Sequence, residues 1–385
     1  MRIALVRQRY NHYGGAERFV VRAVEALASQ RVTVTIVARR WRDGGAAGAA
    51  RCDPFYIGRL WRDWGFARAA CQLLARESFD LVQSHARLTC CDVYRAGDGV
   101  HRQWLAHRKQ AAGWVERVRL TLSPYHRYVM AAERRLFASR RLRAVICNSQ
   151  MVADDIRRHF GVASEKLHVL YNGVNLEAFS PATVAAARGP LRRRLGIPPS
   201  AMTYLLVGSG FERKGVRQLL SAFAALPDRG ARLVIVGRDR RERRMRRRAV
   251  ALGIGSRVHF AGGQQDIASW YGVADCFILP SLYDPFPNAA LEALACGLPA
   301  IVSDRSGAAE LIQAGVNGYV CAALDVPAIA HAMAAVAGPG RARMGEAARA
   351  SVAGLSLDAM AARLLAIYQS LLASDDHACS TRFSP

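Results

Sequence analysis

The feature that most limits the fold of this chain is an alternation that stops once and then starts again. Short apolar runs, "RIALV", "VTVTIVA", "FDLVQS" and "AVICNS", are separated by segments such as "AERFVVRAVEALASQ", which is apolar on one helical face. Strand, loop and helix in that rotation imply a parallel sheet. A strand returning in the same direction needs a crossover, and the crossover helices cover the sheet. The rotation breaks in "YNGVNLEAFSPATVAAARGPLRRRLGIPPSAM", which is rich in Pro, Gly and Ala, and resumes with "TYLLVG", "RLVIVG", "RVHFAG", "DCFILPS" and "PAIVSD". A chain of 385 residues exceeds one ordinary core. The expected fold class is therefore α/β, as two doubly wound domains with a junction at roughly 175–200. The expected division is 1–178, then 200–350, then a separately packed amphipathic helix at 355–373 and a frayed tail at 374–385.

Composition narrows the function classes. Hydrophobic residues at 51% and charged residues at 22% exclude wholesale disorder. The formal net charge is +24, the larger part of it on residues 1–178. That balance suits an anionic partner, whether nucleotide, nucleic acid or acidic lipid, and it equally suits plain use of Arg as surface charge. Nine cysteines show no framework spacing and no C-x-x-C pair. The expectation is reduced thiols in a cytosolic protein, with no zinc site. "MRIALVRQRY" is too short and too charged for a secretion signal. No apolar run approaches a membrane span, so the chain is expected not to cross a bilayer, though it can lie on one.

Ligands of open α/β sheets sit at the carboxyl ends of the strands, and three loops there stand out. In "LLVGSGFERKGVRQLL", Gly208, Gly210 and Gly215 let backbone approach a ligand, and Arg213 and Lys214 form a cation pair suited to a diphosphate. The P-loop pattern fails there, and a tight turn with a solvated basic pair fits the loop equally well. In "SLYDPFPNAALEALACGLPAIVSD", Pro287 and Asn288 start a helix. The N–H groups of Asn288, Ala289 and Ala290 would offer an anion site at its end. Glu292, one turn in, is placed to accept two ribose hydroxyls. Asp284, before the helix, is placed to accept hydroxyls of the group across the phosphates. The third loop follows Arg238, and His259 lies in the next strand; a base fits there. The Arg run at 240–248 reads as a solvated helix face, with nucleic-acid binding as the distant alternative.

Taken together these loops resemble the retaining glycosyltransferases of family 4, whose two Rossmann-like domains and interdomain cleft are called GT-B. "D-x7-E" at Asp284–Glu292 is similar to that family's E-x7-E, with Asp in the first place. "ERKG" at 212–215 is similar to its diphosphate clamp, "NGVNLEAFSP" to its interdomain segment, and "YNHYGGAERFV" to its Gly-Gly loop. "CDVYRAGDGVHRQW", "VGSGFERKGV" and "RVHFAGGQQDI" are most similar to the branch that glucosylates lipopolysaccharide inner core. The resemblance implies a nucleotide-sugar donor, UDP-glucose above others, and no cofactor or metal. It implies a lipid-linked saccharide acceptor, with O-antigen, capsule or another glycolipid as the alternative to core. Glu292 would bind ribose, Asp284 would hold the transferred sugar, and Arg213 and Lys214 would neutralise the leaving diphosphate. Gly14 and Gly15 would leave room for the phosphates. Asp98, after "DVY", would take or orient an acceptor hydroxyl proton, with His85 and His101 as rivals. No nucleic acid partner is expected.

Residues 101–128, "HRQWLAHRKQAAGWVERVRLTLSPYHRY", combine Arg102, Arg108, Lys109, Arg117, Arg119 and Arg127 with Trp104, Trp114 and further apolar residues. Such a segment can lie in the headgroups of an anionic leaflet, which here would be the cytoplasmic face of the inner membrane. It can equally be a helix whose tryptophans pack inward.

Overall fold

The structure is a computed structural model that describes residues 1–8, 32–39 and 48–380, with side chains to 373. The described chain divides into two compact units, 1–173 with 357–385 and 174–356.

In the first unit every strand pairing is parallel. The strands are β1 (Arg2–Val6), β2 (Thr33–Ala38), β3 (Gly48–Arg51), β4 (Leu81–Ser84), β5 (Val93–Arg95), β6 (Ala144–Cys147) and β7 (Leu167–Val169). They lie in the order β3-β2-β1-β4-β5-β6-β7. The helices are α1 (Gly58–Leu74), α2 (His101–Ala111), α3 (Trp114–Leu122), α4 (Pro124–Phe137) and α5 (Gln150–Phe160). Strand alternation splits the core in two. Ala4, Val6 and Val82 point into a cluster with Phe66, Leu136 and Ile156. Ile3, Leu5 and Leu81 point into the other, which is closed by Met360, Leu364 and Tyr368. The C-terminal helix Leu357–Ser380 thus belongs to the first unit rather than packing separately. Its Tyr368 hydroxyl donates to Gln83 Oε1 on β4 at 2.6 Å. The expected frayed tail is helical as far as Ser380.

The expectation of reduced thiols is corrected at one pair. Cys71 on α1 and Cys90 form a disulfide. Their wide spacing in sequence hid this, because only the fold brings α1 over the segment after β4. Cys52, Cys91, Cys147, Cys276, Cys296 and Cys321 are free and buried.

The second unit repeats the plan. α6 (Pro181–Arg194) opens it, followed by β8 (Thr203–Val207), α7 (Val216–Ala224), β9 (Arg232–Val236), α8 (Glu242–Ala251) and β10 (Val258–Gly262). Then come α9 (Ala268–Gly272), β11 (Cys276–Leu279), α10 (Asn288–Ala295), β12 (Ala300–Ser303) and β13 (Gly318–Cys321). The parallel sheet runs β10-β9-β8-β11-β12-β13. The Pro- and Ala-rich break is therefore not a linker throughout, since α6 forms part of this unit. Ser180 caps α6, accepting from the Thr183 N–H, with Pro181 in its first turn. Arg192 fastens the helix to the sheet. Its buried guanidinium donates to Asp275 at 2.7 Å and to the Val273 carbonyl at 3.0 Å.

Candidate active site

In the second sheet the strand order reverses between β8 and β11, and the crevice beyond such a reversal is where open α/β sheets take ligands. The loop after β8 depends on glycine. Gly215 has φ +73°, and a Cβ there would collide with the Pro280 carbonyl oxygen. A Cβ on Gly208 would sit 3.0 Å from Lys214 Cε, so the bare backbone leaves the lysine its path. The loop is tied to its neighbours. The Phe211 N–H donates to Asp239 at 2.8 Å, and the Leu282 N–H donates to the Arg213 carbonyl at 2.8 Å.

The result is a buried ion pair. Lys214 Nζ lies 2.5 Å from Asp284 Oδ2, and Arg213 Nη1 lies 3.7 Å from Oδ1. Asp284 is only 5% exposed. Burial pushes its pKa up, but the charges of Lys214 and Arg213 outweigh burial and hold it below the ordinary carboxylate value. Its backbone is pinned as well. The Asp284 N–H donates to the Arg305 carbonyl, and the Asp284 carbonyl accepts from Gly307, each at 2.9 Å. Carboxylate and clamp, assigned separate roles in the sequence, are thus one another's partners.

Glu292 is 6% exposed on α10 and accepts from the Tyr271 hydroxyl at 2.8 Å. Tyr271, on α9, escaped the sequence reading, since nothing in "ASWYGVADC" marks a hydroxyl that will meet a carboxylate some twenty residues later. Asn288 and Ala289 are half-buried at the start of α10. Ala290 is a correction. It is fully buried, and its N–H donates to the Pro287 carbonyl at 3.0 Å, so the first turn closes on itself and uses that donor. Arg238 stands just past β9, its side chain against Gly263, where any Cβ would strike it. His259 is also corrected. It pairs with Val234 in the middle of β9, away from the carboxyl end where β10 reaches Gly262. Gly14 and Gly15 lie outside the described residues.

In the first unit the order reverses between β1 and β4. A cavity of about 370 Å³ opens there, lined among others by Arg7, Asp63, His85, Arg87, Asp98 and Tyr125. Asp98 is exposed at its rim, just before Gly99 with φ +67°. Burial, reinforced by Arg7 and Arg95, drives the His85 pKa well below the usual histidine value. His101 does not line this cavity. Its Nε2 meets His126 Nδ1 at 3.0 Å, with Trp104 stacked beside both rings. The Trp pair of residues 101–128 therefore divides. Trp104 packs, whereas Trp114 is 78% exposed, with Val115, Val118 and Leu122 exposed along the same helix. No helix among the described residues is long and apolar enough to cross a membrane.

Two parallel doubly wound units, one with the Arg213–Lys214 cation pair at its switch point, and the family models that match them place the chain among the GT-B glycosyltransferases. The family model "Glycosyltransferase Family 4" matches residues 13–178, and "Glycosyl transferases group 1" matches 188–351. Within the class it is similar to the lipopolysaccharide glucosyltransferase WaaG of Escherichia coli (strain K12). The two are 25% identical over 331 residues, which cover 84% of this chain and 85% of that one. The crystal structure of WaaG, a glycosyltransferase involved in lipopolysaccharide biosynthesis, superposes with a TM-score of 0.81 at 23% identity, covering 95% of this chain and 99% of that one. A D-inositol 3-phosphate glycosyltransferase of Streptomyces bingchenggensis (strain BCW-1) is 33% identical over 189 residues, 46% of this chain. This match spans only 41% of that relative's own length.

Proposed function

We propose that the protein is a retaining, metal-independent hexosyltransferase that moves glucose from UDP-glucose to a lipid-linked saccharide, in the first instance lipopolysaccharide core. The buried Lys214–Asp284 pair with Arg213 beside it carries this reading. A donor diphosphate offers Lys214 a second anion. As the lysine turns to it, Asp284 is released to accept hydroxyls of the transferred sugar. The charge on the leaving diphosphate grows in the transition state, so two fixed cations stabilise that state more than the bound donor and supply the neutralisation that a metal gives elsewhere. Glu292, oriented by Tyr271, takes the ribose. Asp98 at the rim of the first unit's cavity orients the acceptor hydroxyl. The apolar stripe of α3 sets the protein on an anionic leaflet at the cytoplasmic face of the membrane, where a lipid-linked acceptor resides. The similarity to the relative named as a lipopolysaccharide glucosyltransferase supports the donor sugar and acceptor class.

A thermal-shift panel of nucleotide sugars tests the reading, because a ligand of the native state raises the melting temperature by mass action. UDP-glucose is expected to shift it, and Lys214→Ala to remove the shift. A panel in which no nucleotide sugar changes the melting temperature would sink the proposal.

A further inference from the structure

Helix α4 has two lined faces. Tyr125, Tyr128, Val129 and Ala132 border the cavity already described. Arg127, Ala131 and Arg134, with Ala138 just past the helix end, border a second and larger one, of about 720 Å³. Spacings of three and four residues place each set on its own stripe, so the helix is a wall between two cavities. Arg102 of α2 and His159 and Phe160 of α5 complete the second cavity, with Phe137 from α4.

Its charge is one-sided. Among the described residues no ion pair engages Arg102, Arg127 or Arg134. Glu133, the acid on its lining, is already held by Arg87 at 2.9 Å and by the His101 N–H at 2.9 Å. His159 is fixed as well. Its Nε2 lies 2.9 Å from Gln103 Oε1, an amide oxygen that can only accept, so that nitrogen carries the proton. Phe137 and Phe160 stack at 4.4 Å between ring centroids and give an apolar surface beside the cations. Three guanidinium groups line one cavity whose carboxylate, Glu133, is buried and paired with Arg87, and such a lining matches the several oxygens of a phosphate. A cavity of this size lies within the range of small-molecule sites and exceeds what a bare phosphate ion fills.

We infer that this second cavity binds a phosphate ester, with Arg102, Arg127 and Arg134 on the phosphate and the Phe137–Phe160 pair against its organic part. The site is separate from the donor loop and does not rest on the reading of that loop. Two sources carry such a group, a phospholipid headgroup and a soluble phosphorylated compound, and the test separates them.

The probe is glycerol 1-phosphate, titrated calorimetrically into the full chain in excess UDP so that the Arg213–Lys214 loop does not compete. Arg127→Ala/Arg134→Ala is expected to weaken binding about ten-fold or more. Arg135→Ala, exposed on the same helix but off the cavity lining, is expected to leave it unchanged. The same proteins are then sedimented with phosphatidylcholine vesicles with and without phosphatidylglycerol. Loss of glycerol 1-phosphate binding together with the phosphatidylglycerol-dependent fraction identifies a lipid headgroup. Loss of glycerol 1-phosphate binding alone identifies a soluble ester. Either result supports the site. No binding by the unaltered protein, equal binding by the double variant, or an equal loss in Arg135→Ala overturns it. Both substituted arginines are exposed, and matching circular dichroism spectra exclude a folding defect as the cause. If the donor reading fails, UDP does not bind, yet the difference between variants persists, so the two failures are distinguishable.

Discussion

Lys214 and Asp284 hold each other with Arg213 as a third charge at 3.7 Å, which makes their substitutions informative in two ways. Lys214→Met leaves the buried Asp284 carboxylate with the half-exposed Arg213 as its remaining counter-charge and is expected to cost up to about 3–5 kcal/mol of stability. Lys214→Met/Asp284→Leu should recover most of that loss in denaturant unfolding while remaining inactive. Recovery of activity in the double variant would remove the pair from the chemistry. In a Lys214→Ala protein that stays folded, kcat should fall by about a hundred-fold or more. A raised KM at constant kcat would instead assign the lysine to uniform binding. His101 gives a pH prediction. Burial, with Arg87 and His126 adding to it, brings its pKa from 6.5 to about 3. Between those values the unfolded chain takes up a proton that the folded protein refuses. Stability should therefore be level above pH 6.5 and fall as pH drops below it, by at most about 1.4 kcal/mol per pH unit from this group. Denaturant titrations at pH 7, 6 and 5 should show a shallower slope in His101→Gln, and equal slopes would clear His101. At this scale type and spacing sufficed to single out Asp284, Glu292, Arg213 and Lys214 as candidates, and the structure brings Asp284, Arg213 and Lys214 together. It was not legible where a partner comes from afar. Tyr271 on Glu292 and the direct Lys214–Asp284 contact depend on which strands become neighbours, and spacing along the chain carries no record of that.

Among elements, α3 shows why charge alone was an incomplete guide. Arg108 is engaged by Glu116 at 2.7 Å, and Arg117 donates to the Lys109 and Ala112 carbonyls that end α2. Reversing those charges would disturb the helix pair as well as any electrostatic attraction. The exposed Trp114 is the cleaner probe. Trp114→Ser is expected to lower co-sedimentation with phosphatidylglycerol vesicles without changing the melting temperature. Unchanged sedimentation would detach α3 from the membrane reading. The Cys71–Cys90 link closes a loop of 19 residues between α1 and the segment after β4. Reduction, or Cys90→Ser, should lower stability by about 3 kcal/mol on the loop-entropy estimate. Identical melting with and without reductant would mean that the two thiols are not joined in solution. Strand and helix positions were readable from apolar periodicity because both sheets are parallel and buried. β3 was not, since "GAAR" is short, small and largely exposed, and carries none of that signal.

At the scale of the whole molecule, the proposed mechanism has side chains manage the charge of the reaction. Transfer activity is expected to survive EDTA. Loss on chelation, with recovery in Mg²⁺ or Mn²⁺, would overturn the metal-independent mechanism. The alternation of strands and helices was enough to give two doubly wound units. The return of the chain to the first of them was not legible, because an amphipathic helix near the end of a sequence does not announce which sheet it will cover.

That return has a consequence for how the protein is made. The second unit begins and ends at adjacent points, with Val174 bridged to Ser356 and its N–H donating to the Leu355 carbonyl at 2.9 Å. It is therefore an insertion within the first. During synthesis β1 and β4 emerge early, but Met360, Leu364 and Tyr368, which close one face of their sheet, leave the ribosome only after the whole inserted unit. The unit encoded first is the one finished last, and one apolar face of its sheet stays open for the about 180 residues of translation that the inserted unit takes.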